Sequence, residues 1–421
     1  MNYITKVKVQ NFFSIKEEVE LDFTASEYSI DYNKDRLFER EDVFTNKLLA
    51  FYGANASGKT TILKSIVWFS YFISNKNQEK FPNAHSNIYA KEPLNSYIEL
   101  YFFHENREFV YRLDLNYDKF SNIRSIKNEI LKIKIKGKFE ILFNRADEVF
   151  KNLDFKQNDS LLFDSISPNS SLLNESRSRM KDYTSLSYFF DDIKRNSNIS
   201  GITQVDLSVN DSDMFELILN LSNKENMEKI FDYLPFNIDE KFIKDSSKFK
   251  FFLFEILKLI GTDIKNSQVT IKKDEKELET KLLLAHNVNL DKYLNFELES
   301  NGTKTLIKLI YKIFDTYKDK SILVIDELDS LIHPMIVPIL NLLTIKLDIQ
   351  MFYSTHNIHN MKYLYNDEIL LIEKDNEHKT IIKTLKDYDG YENFAKLYQN
   401  NVLGGVPKLE NINFDFIDEL K

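Results

Sequence analysis

The eight residues Gly53-Ala54-Asn55-Ala56-Ser57-Gly58-Lys59-Thr60 restrict the folds open to this chain more than any other stretch. They fit G-x-x-x-x-G-K-[ST] and lie between an apolar run, Leu48 to Tyr52, and a segment from about Gly58 to Ile73. A short apolar run bounded by polar residues suits a buried parallel strand. The segment after it puts Ile62, Leu63, Ile66, Val67, Phe69 and Ile73 on one side, as an amphipathic helix requires. A strand, a glycine turn and a helix N-terminus in that order form an anion site. The glycines let successive backbone N–H groups face phosphate oxygens, the lysine reaches β- and γ-phosphates, and the hydroxyl takes a place on Mg²⁺. Nucleotide contacts therefore fall to Gly53, Asn55, Ala56, Ser57, Gly58, Lys59, Thr60 and Thr61, with Lys59 also catalytic and Thr60 on the metal.

Such a loop needs an acidic strand end beside it, and Ile322-Leu323-Val324-Ile325-Asp326-Glu327 supplies one. Asp326 is expected to hold Mg²⁺ through water and Glu327 to polarise the attacking water. Taken alone, an apolar run ending in Asp-Glu is an ordinary buried strand; paired with the phosphate loop it predicts ATP hydrolysis. Glu299-Ser300-Asn301-Gly302-Thr303-Lys304 precedes a helix carrying Leu306, Ile307, Leu309, Ile310, Ile313 and Phe314. By itself that is a turn and an N-cap. Phe352-Tyr353-Ser354-Thr355-His356-Asn357 is a further strand ending in a polar cluster, where His356 is expected to sense the γ-phosphate. His359 has no carboxylate or histidine partners that would make a metal pair, and is read as structural.

Composition narrows the rest. The 34 Phe and 22 Tyr in 421 residues offer too much burial for general disorder, and the absence of cysteine removes disulfides, thiolate metal sites and thiol nucleophiles. Glycine is scarce, at nine residues, so each one present is expected to be needed for backbone freedom. A net charge of −9 is not that of a general nucleic-acid coat. No membrane span or signal peptide is visible, because the most apolar stretch, Phe249 to Ile260, is short and broken by Lys250, Glu255 and Lys258. A soluble cytoplasmic protein is the expectation.

Along the chain, residues 1–150 read as an N-terminal lobe. Strands are expected at Tyr3–Gln10, Val19–Phe23, Leu48–Tyr52, Tyr97–Phe103, Glu108–Leu115, Ile130–Ile135 and Phe139–Phe143. Residues 151–265 read as a helical insertion, with helices near Leu172–Lys194, Asp213–Tyr233 and Phe242–Ile260, and residues 266–421 as a C-terminal lobe. The fold class expected is α/β, with a mixed sheet, an antiparallel β-subdomain and a helical insertion.

The order of phosphate loop, Ser-x-Gly at a helix start, acidic strand and histidine resembles ATP-binding-cassette (ABC-type) ATPases. Ser300 and Gly302 match that family's signature positions, and the resemblance implies contact with the γ-phosphate bound by the opposite subunit. Two heads would then close around two ATP molecules as a homodimer or higher homo-oligomer. More finely, Asn11-Phe12-Phe13-Ser14 and the Asp326-Glu327-Leu328-Asp329-Ser330-Leu331-Ile332-His333-Pro334 run resemble the branch holding SMC, RecF and overcoming-lysogenization-defect heads. The Asp326–Pro334 run in particular resembles the stand-alone AAA ATP-binding proteins of the abortive-infection (AbiL-type) and RloA-like kind. Leu331 and Ile332 stand where that form has Ser and Leu, and His333 where transporter cassettes place an aspartate. Ile372-Glu373-Lys374-Asp375 and Gly404-Gly405-Val406-Pro407 are similar to the group's C-terminal part. No Q-loop glutamine stands out: Gln78 and Gln157 lie in polar sequence, and Glu129 is a substitute.

The resemblance implies a regulatory ATPase of an anti-phage or abortive-infection system. The chain stops soon after the C-terminal lobe, without the acidic cluster of a TOPRIM nuclease, so the effector (nuclease or toxin) is expected to be a separate chain. The alternative is a repair or chromosome-maintenance ATPase that binds DNA directly. Lysines at 132, 134, 136 and 138, and Lys304, Lys308 and Lys312 along one helix, are its candidate surface; a solvated face is the plainer reading of both.

Overall fold

The computed structural model describes residues 2–74, 84–89, 95–117, 123–146, 149–150, 171–175, 184–196, 240–273, 278–287, 292–377, 379–386 and 394–405. The element that positions everything else is a five-stranded sheet, ordered β14-β15-β5-β16-β17. Its strands are β5 (Leu48–Tyr52), β14 (Ile322–Ile325), β15 (Gln350–Ser354), β16 (Ile369–Lys374) and β17 (Thr380–Thr384). Four run parallel, and β17 folds back antiparallel on the edge. In β5 successive residues point to opposite faces, and both faces are covered. Leu49 and Phe51 join one core with Val324, Phe352 and Ile372, whereas Leu48, Ala50 and Tyr52 join another with Ile325, Tyr353 and Leu371. That two-sided burial explains why the strand reads as an unbroken apolar run rather than an alternation.

A seven-stranded antiparallel sheet, ordered β10-β9-β8-β7-β6-β1-β2, closes the first core. It contains β1 (Tyr3–Gln10), β2 (Val19–Asp22), β6 (Ser96–His104), β7 (Arg107–Tyr117), β8 (Ile123–Ile135), β9 (Lys138–Asn144) and β10 (Val149–Phe150). β8 starts earlier than its apolar alternation suggested, because pairing with β7 carries the polar stretch before Ile130. Strands β3 (Leu37–Arg40) and β4 (Val43–Asn46), which sequence patterning did not suggest, form a small hairpin before β5.

Between the two large sheets lie α2 (Lys59–Ser74) and α4 (Thr184–Asn196). The apolar stripe of α4 (Leu186, Phe189, Phe190 and Ile193) is buried in this first core. Phe190 packs against Phe69 of α2 and against Phe102 of β6, at ring distances of 5.5 and 5.4 Å. The helical pattern expected near Leu172–Lys194 is thus two helices, α3 (Leu172–Glu175) and α4; that expected at Asp213–Tyr233 lies outside the described residues. On the opposite face of the parallel sheet pack α5 (Glu240–Ile260), α6 (Asn301–Asp319), α8 (Val337–Lys346) and α9 (Phe394–Gln399). The two ends of the chain are bonded together. Gln350 exchanges hydrogen bonds with both backbone groups of Ile4, at 2.7 and 2.8 Å. Arg36 grips the buried Glu368 carboxylate with two N–H groups, at 2.6 and 2.7 Å.

Among the described residues no helix is long and apolar enough to cross a membrane.

Candidate nucleotide site

The phosphate loop leaves the C-terminal end of β5, the central strand, and the ends of β14 and β15 open on the same edge. Open parallel sheets bind ligands at this edge, where helix N-termini converge. Gly53 turns the chain with φ +154°, and an added Cβ there would meet the Ile372 carbonyl oxygen at 2.2 Å. Gly58 has φ +116°, and a Cβ would press on Thr380 Oγ1 at 3.2 Å. The β16–β17 hairpin therefore forms the wall behind the loop. Packing inside the chain requires glycine at 53, and the left-handed backbone favours it at 58.

Lys59 is buried, and its Nζ donates to the Gly53 and Ala54 carbonyls at 2.8 and 3.0 Å. Burial lowers its pKa, while the charges of Asp326, Glu327 and Asp329 oppose the shift. The buried Ser57 hydroxyl has no hydrogen-bond partner among the described residues. An orphaned hydroxyl inside a ring of backbone N–H groups fits a phosphate oxygen. Asn55 and Ala56 stand exposed at the rim.

Asp326 ties the neighbouring strands together. Its Oδ1 accepts from Thr60 Oγ1 at 3.1 Å and from Ser354 Oγ at 2.5 Å, although β15 separates β14 from β5. The Glu327 backbone N–H donates to the same Ser354 Oγ at 2.7 Å. Glu327 itself adopts φ 51° and projects an exposed carboxylate beyond the strand end. A left-handed glutamate is uncommon, and this conformation swings its side chain out of the strand's alternation. A hydroxyl and a carboxylate in contact make an oxygen donor pair of the kind Mg²⁺ takes. The His356 backbone N–H donates to both carboxylate oxygens of Asp329, each at 3.2 Å. Burial and the charge of Lys59 hold the His356 imidazole below its ordinary pKa, against the pull of Asp329, Glu327 and Asp326. It is therefore chiefly neutral at pH 7.

Several contributors were legible only as parts of motifs. Ser14, in the Asn-Phe-Phe-Ser segment, meets Thr61 Oγ1 at 2.7 Å and links β1's continuation to α2. The backbone carbonyl of Gly405 accepts from Tyr398 at 2.7 Å, and a Cβ on Gly405 would lie 3.7 Å from Gly53 Cα. The C-terminal Gly-Gly pair thus lies directly against the first residue of the phosphate loop.

Ser300 and Gly302 lie apart from this cluster, at the start of α6. Ser300 caps the helix, accepting from the Thr303 N–H at 3.1 Å, and Ser300, Asn301 and Gly302 are exposed. A Cβ at Gly302 would meet only Ser300 Oγ, at 3.9 Å, so no described neighbour demands glycine there.

Three sequence expectations change. Glu129 is not a Q-loop substitute: it is wholly buried within the antiparallel sheet, bonded to Tyr111, Ser171 and the Leu172 N–H, and so anchors the start of α3. Gln78 and Gln157 lie outside the described residues. Lys312 is buried and donates to the Arg195 carbonyl at 3.1 Å, so it leaves the proposed basic stripe. Lys134 is paired with Glu108 at 2.6 Å. No group of metal-binding histidine and acidic side chains occurs among the described residues.

A central parallel strand running into this loop, with an acidic strand end bonded to the loop's threonine, defines a P-loop ATPase head of the ABC type, mixed α/β with an antiparallel subdomain. Residues 48–360 match the family described as "AAA domain, putative AbiEii toxin, Type IV TA system", and the chain belongs to that family. No curated protein matches the chain. Among solved structures it is similar to an SMC head bound to the C-winged helix domain of ScpA, 16% identical over 91% of this chain and 98% of that one, with a TM-score of 0.43. An SMC head with an extended coiled coil bound to the C-terminal domain of ScpA, from Pyrococcus furiosus, is 16% identical over 95% and 99%, with a TM-score of 0.45. The SMC head domain from Thermotoga maritima is 13% identical over 90% and 98%, with a TM-score of 0.40.

Proposed function

We propose that this protein is a Mg²⁺-dependent ATPase that closes a dimer of heads around ATP and controls a separate effector in a bacterial anti-phage or abortive-infection system. The phosphates lie in the loop of Gly53, Asn55, Ala56, Ser57, Gly58, Lys59, Thr60 and Thr61. Thr60 and Asp326 would hold Mg²⁺, which would supply charge neutralisation to the phosphate oxygens. Glu327 accepts a proton from the attacking water as it adds to the γ-phosphorus and the bond to the β–γ bridging oxygen breaks, releasing ADP and phosphate, and neutral His356 hydrogen-bonds the γ-phosphate. Lys59 leaves its two loop carbonyls for the phosphates, exchanging neutral acceptors for charged ones.

The observation that carries the shared-site reading is the contrast among the glycines. Gly53 is demanded by a backbone neighbour within the chain and Gly58 by its left-handed backbone, whereas Gly302 sits on an open helix N-terminus beside an exposed serine. A glycine without an internal reason, at a natural anion site, suits close approach by a phosphate held on a second copy. The assignment to defence rests on the family's description, which names a toxin and a toxin–antitoxin system. The effector is proposed as a nuclease or toxin on another chain, and residues 151–265 as the insertion that communicates with it. The buried Lys312 and the paired Lys134 weaken the case for direct DNA binding.

Sizing the Glu327→Gln variant with ATP tests this most directly. It is expected to bind ATP, to stop turning it over and to run as a dimer. Hydrolysis at the wild-type rate would show that Glu327 is not the base, and a persistent monomer would sink the shared site.

A further inference from the structure

Strand β12 (Leu278–His286) ends on a histidine whose two ring nitrogens both face carboxylates. His286 Nδ1 lies 3.0 Å from Asp263 Oδ1, in the turn just after α5, and Nε2 lies 2.7 Å from Glu299 Oε1, the residue before Ser300. Glu299 is only 8% exposed at its side chain, so the contact on the Ser300 side is shielded, while Asp263 is 59% exposed. The backbone reinforces the arrangement, since the Asn287 N–H donates to the Asp263 carbonyl at 2.9 Å.

A neutral imidazole has one N–H and cannot donate to two carboxylates at once; only the imidazolium satisfies both. Burial works against that charge, but the hydrogen bonds to Asp263 and Glu299 outweigh it and raise the His286 pKa. Among the described residues these two carboxylates are the charged groups that face the ring.

We propose that His286 is a positioning residue for the signature hydroxyl: its imidazolium clamps Glu299 to the end of α5 and so sets where Ser300 and the first turn of α6 stand. This rests on the reading of Ser300 as the group presented to a partner's phosphate. The clamp makes α5 a lever on the shared site, because a shift of Asp263 reaches Ser300 through two hydrogen bonds and one peptide unit. Its pH dependence has a definite sign. The clamp is complete below the ordinary imidazole pKa of about 6.5 and is lost as pH rises through the raised folded value.

The test combines His286→Gln with direct titration of the wild-type imidazole. By NMR, the His286 ring in the full-length protein is expected to titrate above the ordinary histidine value without nucleotide. His286→Gln, shown folded by its circular dichroism melt, is expected to bind a fluorescent ATP analogue within about twofold of wild type. Its kcat should fall about tenfold at neutral pH, as misplacement of a catalytic contact does, and should lose the wild-type decline on the alkaline side. A His286 titration at or below the ordinary value overturns the clamp. In a protein whose Ser300→Arg variant is inactive, a His286→Gln enzyme with wild-type kcat and pH profile overturns the inference alone. If Ser300→Arg turns over at the wild-type rate, the signature reading fails, while the NMR titration still reports on the clamp.

Discussion

The phosphate-loop edge and the signature edge of this head are built on opposite principles. At the loop, the lysine, the threonine and the acidic strand end are each held by groups of the same chain. Thr60, Asp326, Ser354 and the Glu327 N–H form one continuous series of hydrogen bonds, and Lys59 is tied to loop carbonyls. At the signature, Ser300 bonds among the described residues only within its own first turn, and the proposed control comes indirectly from His286 through Glu299. One edge is finished internally. The other is a prepared surface, aimed from behind and left open in front. The same residue type has a different setting on each: glycine relieves internal crowding at Gly53, whereas a Cβ at Gly302 would meet only Ser300 Oγ, at 3.9 Å, where the proposed shared site brings a partner's phosphate.

Substitutions that separate binding, stability and turnover test that contrast. The largest effect is expected from Lys59→Ala, which removes a charge-assisted phosphate contact available to a lone head. Affinity for a fluorescent ATP analogue should fall by about a hundredfold, from the loss of hydrogen bonds worth about 1.5–3 kcal/mol each. Wild-type affinity would break the claim that the loop edge is complete in one chain. Next is Ser354→Ala, which removes one of the two donors to Asp326 Oδ1 and leaves the Glu327 N–H without its acceptor. A stability loss of about 1–3 kcal/mol is expected by calorimetry, with turnover reduced, since a buried polar group left unpaired bears its full desolvation cost. An unchanged melting temperature would show that Ser354 is not the keystone of the strand ends.

The smallest structural effect belongs to the signature edge. Aspartate caps helices as well as serine does, so Ser300→Asp should alter stability by no more than about 0.5 kcal/mol. It should nevertheless abolish ATP-dependent turnover, because a carboxylate there repels an incoming phosphate. Steady-state hydrolysis and a thermal melt on the same sample decide it. Loss of fold, or retained turnover, would remove the distinction between the two edges.

The loop edge was largely legible in the sequence because its residues are contiguous. Leu48–Tyr52 followed by Gly53–Thr60, and Ile322–Ile325 followed by Asp326-Glu327, each carry strand, turn and chemistry in one short run. What escaped was the place of contributors that carried no assigned role: Ser14 and Gly405 stood in motifs without one, and Thr380 and Tyr398 in sequence that says nothing special. Ser14, Thr380, Gly405 and Tyr398 reach the loop only through sheet order and chain return. Glu129 illustrates the opposite error: a glutamate at an apparent strand start looked available for chemistry, yet its partners at Tyr111, Ser171 and Leu172 make it a buried anchor. Lys312 misled in the same manner, since its helical spacing from Lys304 and Lys308 could not reveal that α4 covers it.

By itself the sequence determined the nucleotide chemistry, because phosphate binding needs backbone N–H groups, a lysine and a hydroxyl within a few consecutive residues. It also determined the central strand, because burial on both faces leaves an unbroken apolar run. Only the tertiary structure decided which side chains hold those groups in place. Asp326 Oδ1 accepts from both Thr60, beyond the intervening strand, and Ser354 on it, and His286 joins Asp263 to Glu299 across two turns. Those couplings depend on distances in space between residues far apart in the chain, and local propensity and spacing do not encode such distances.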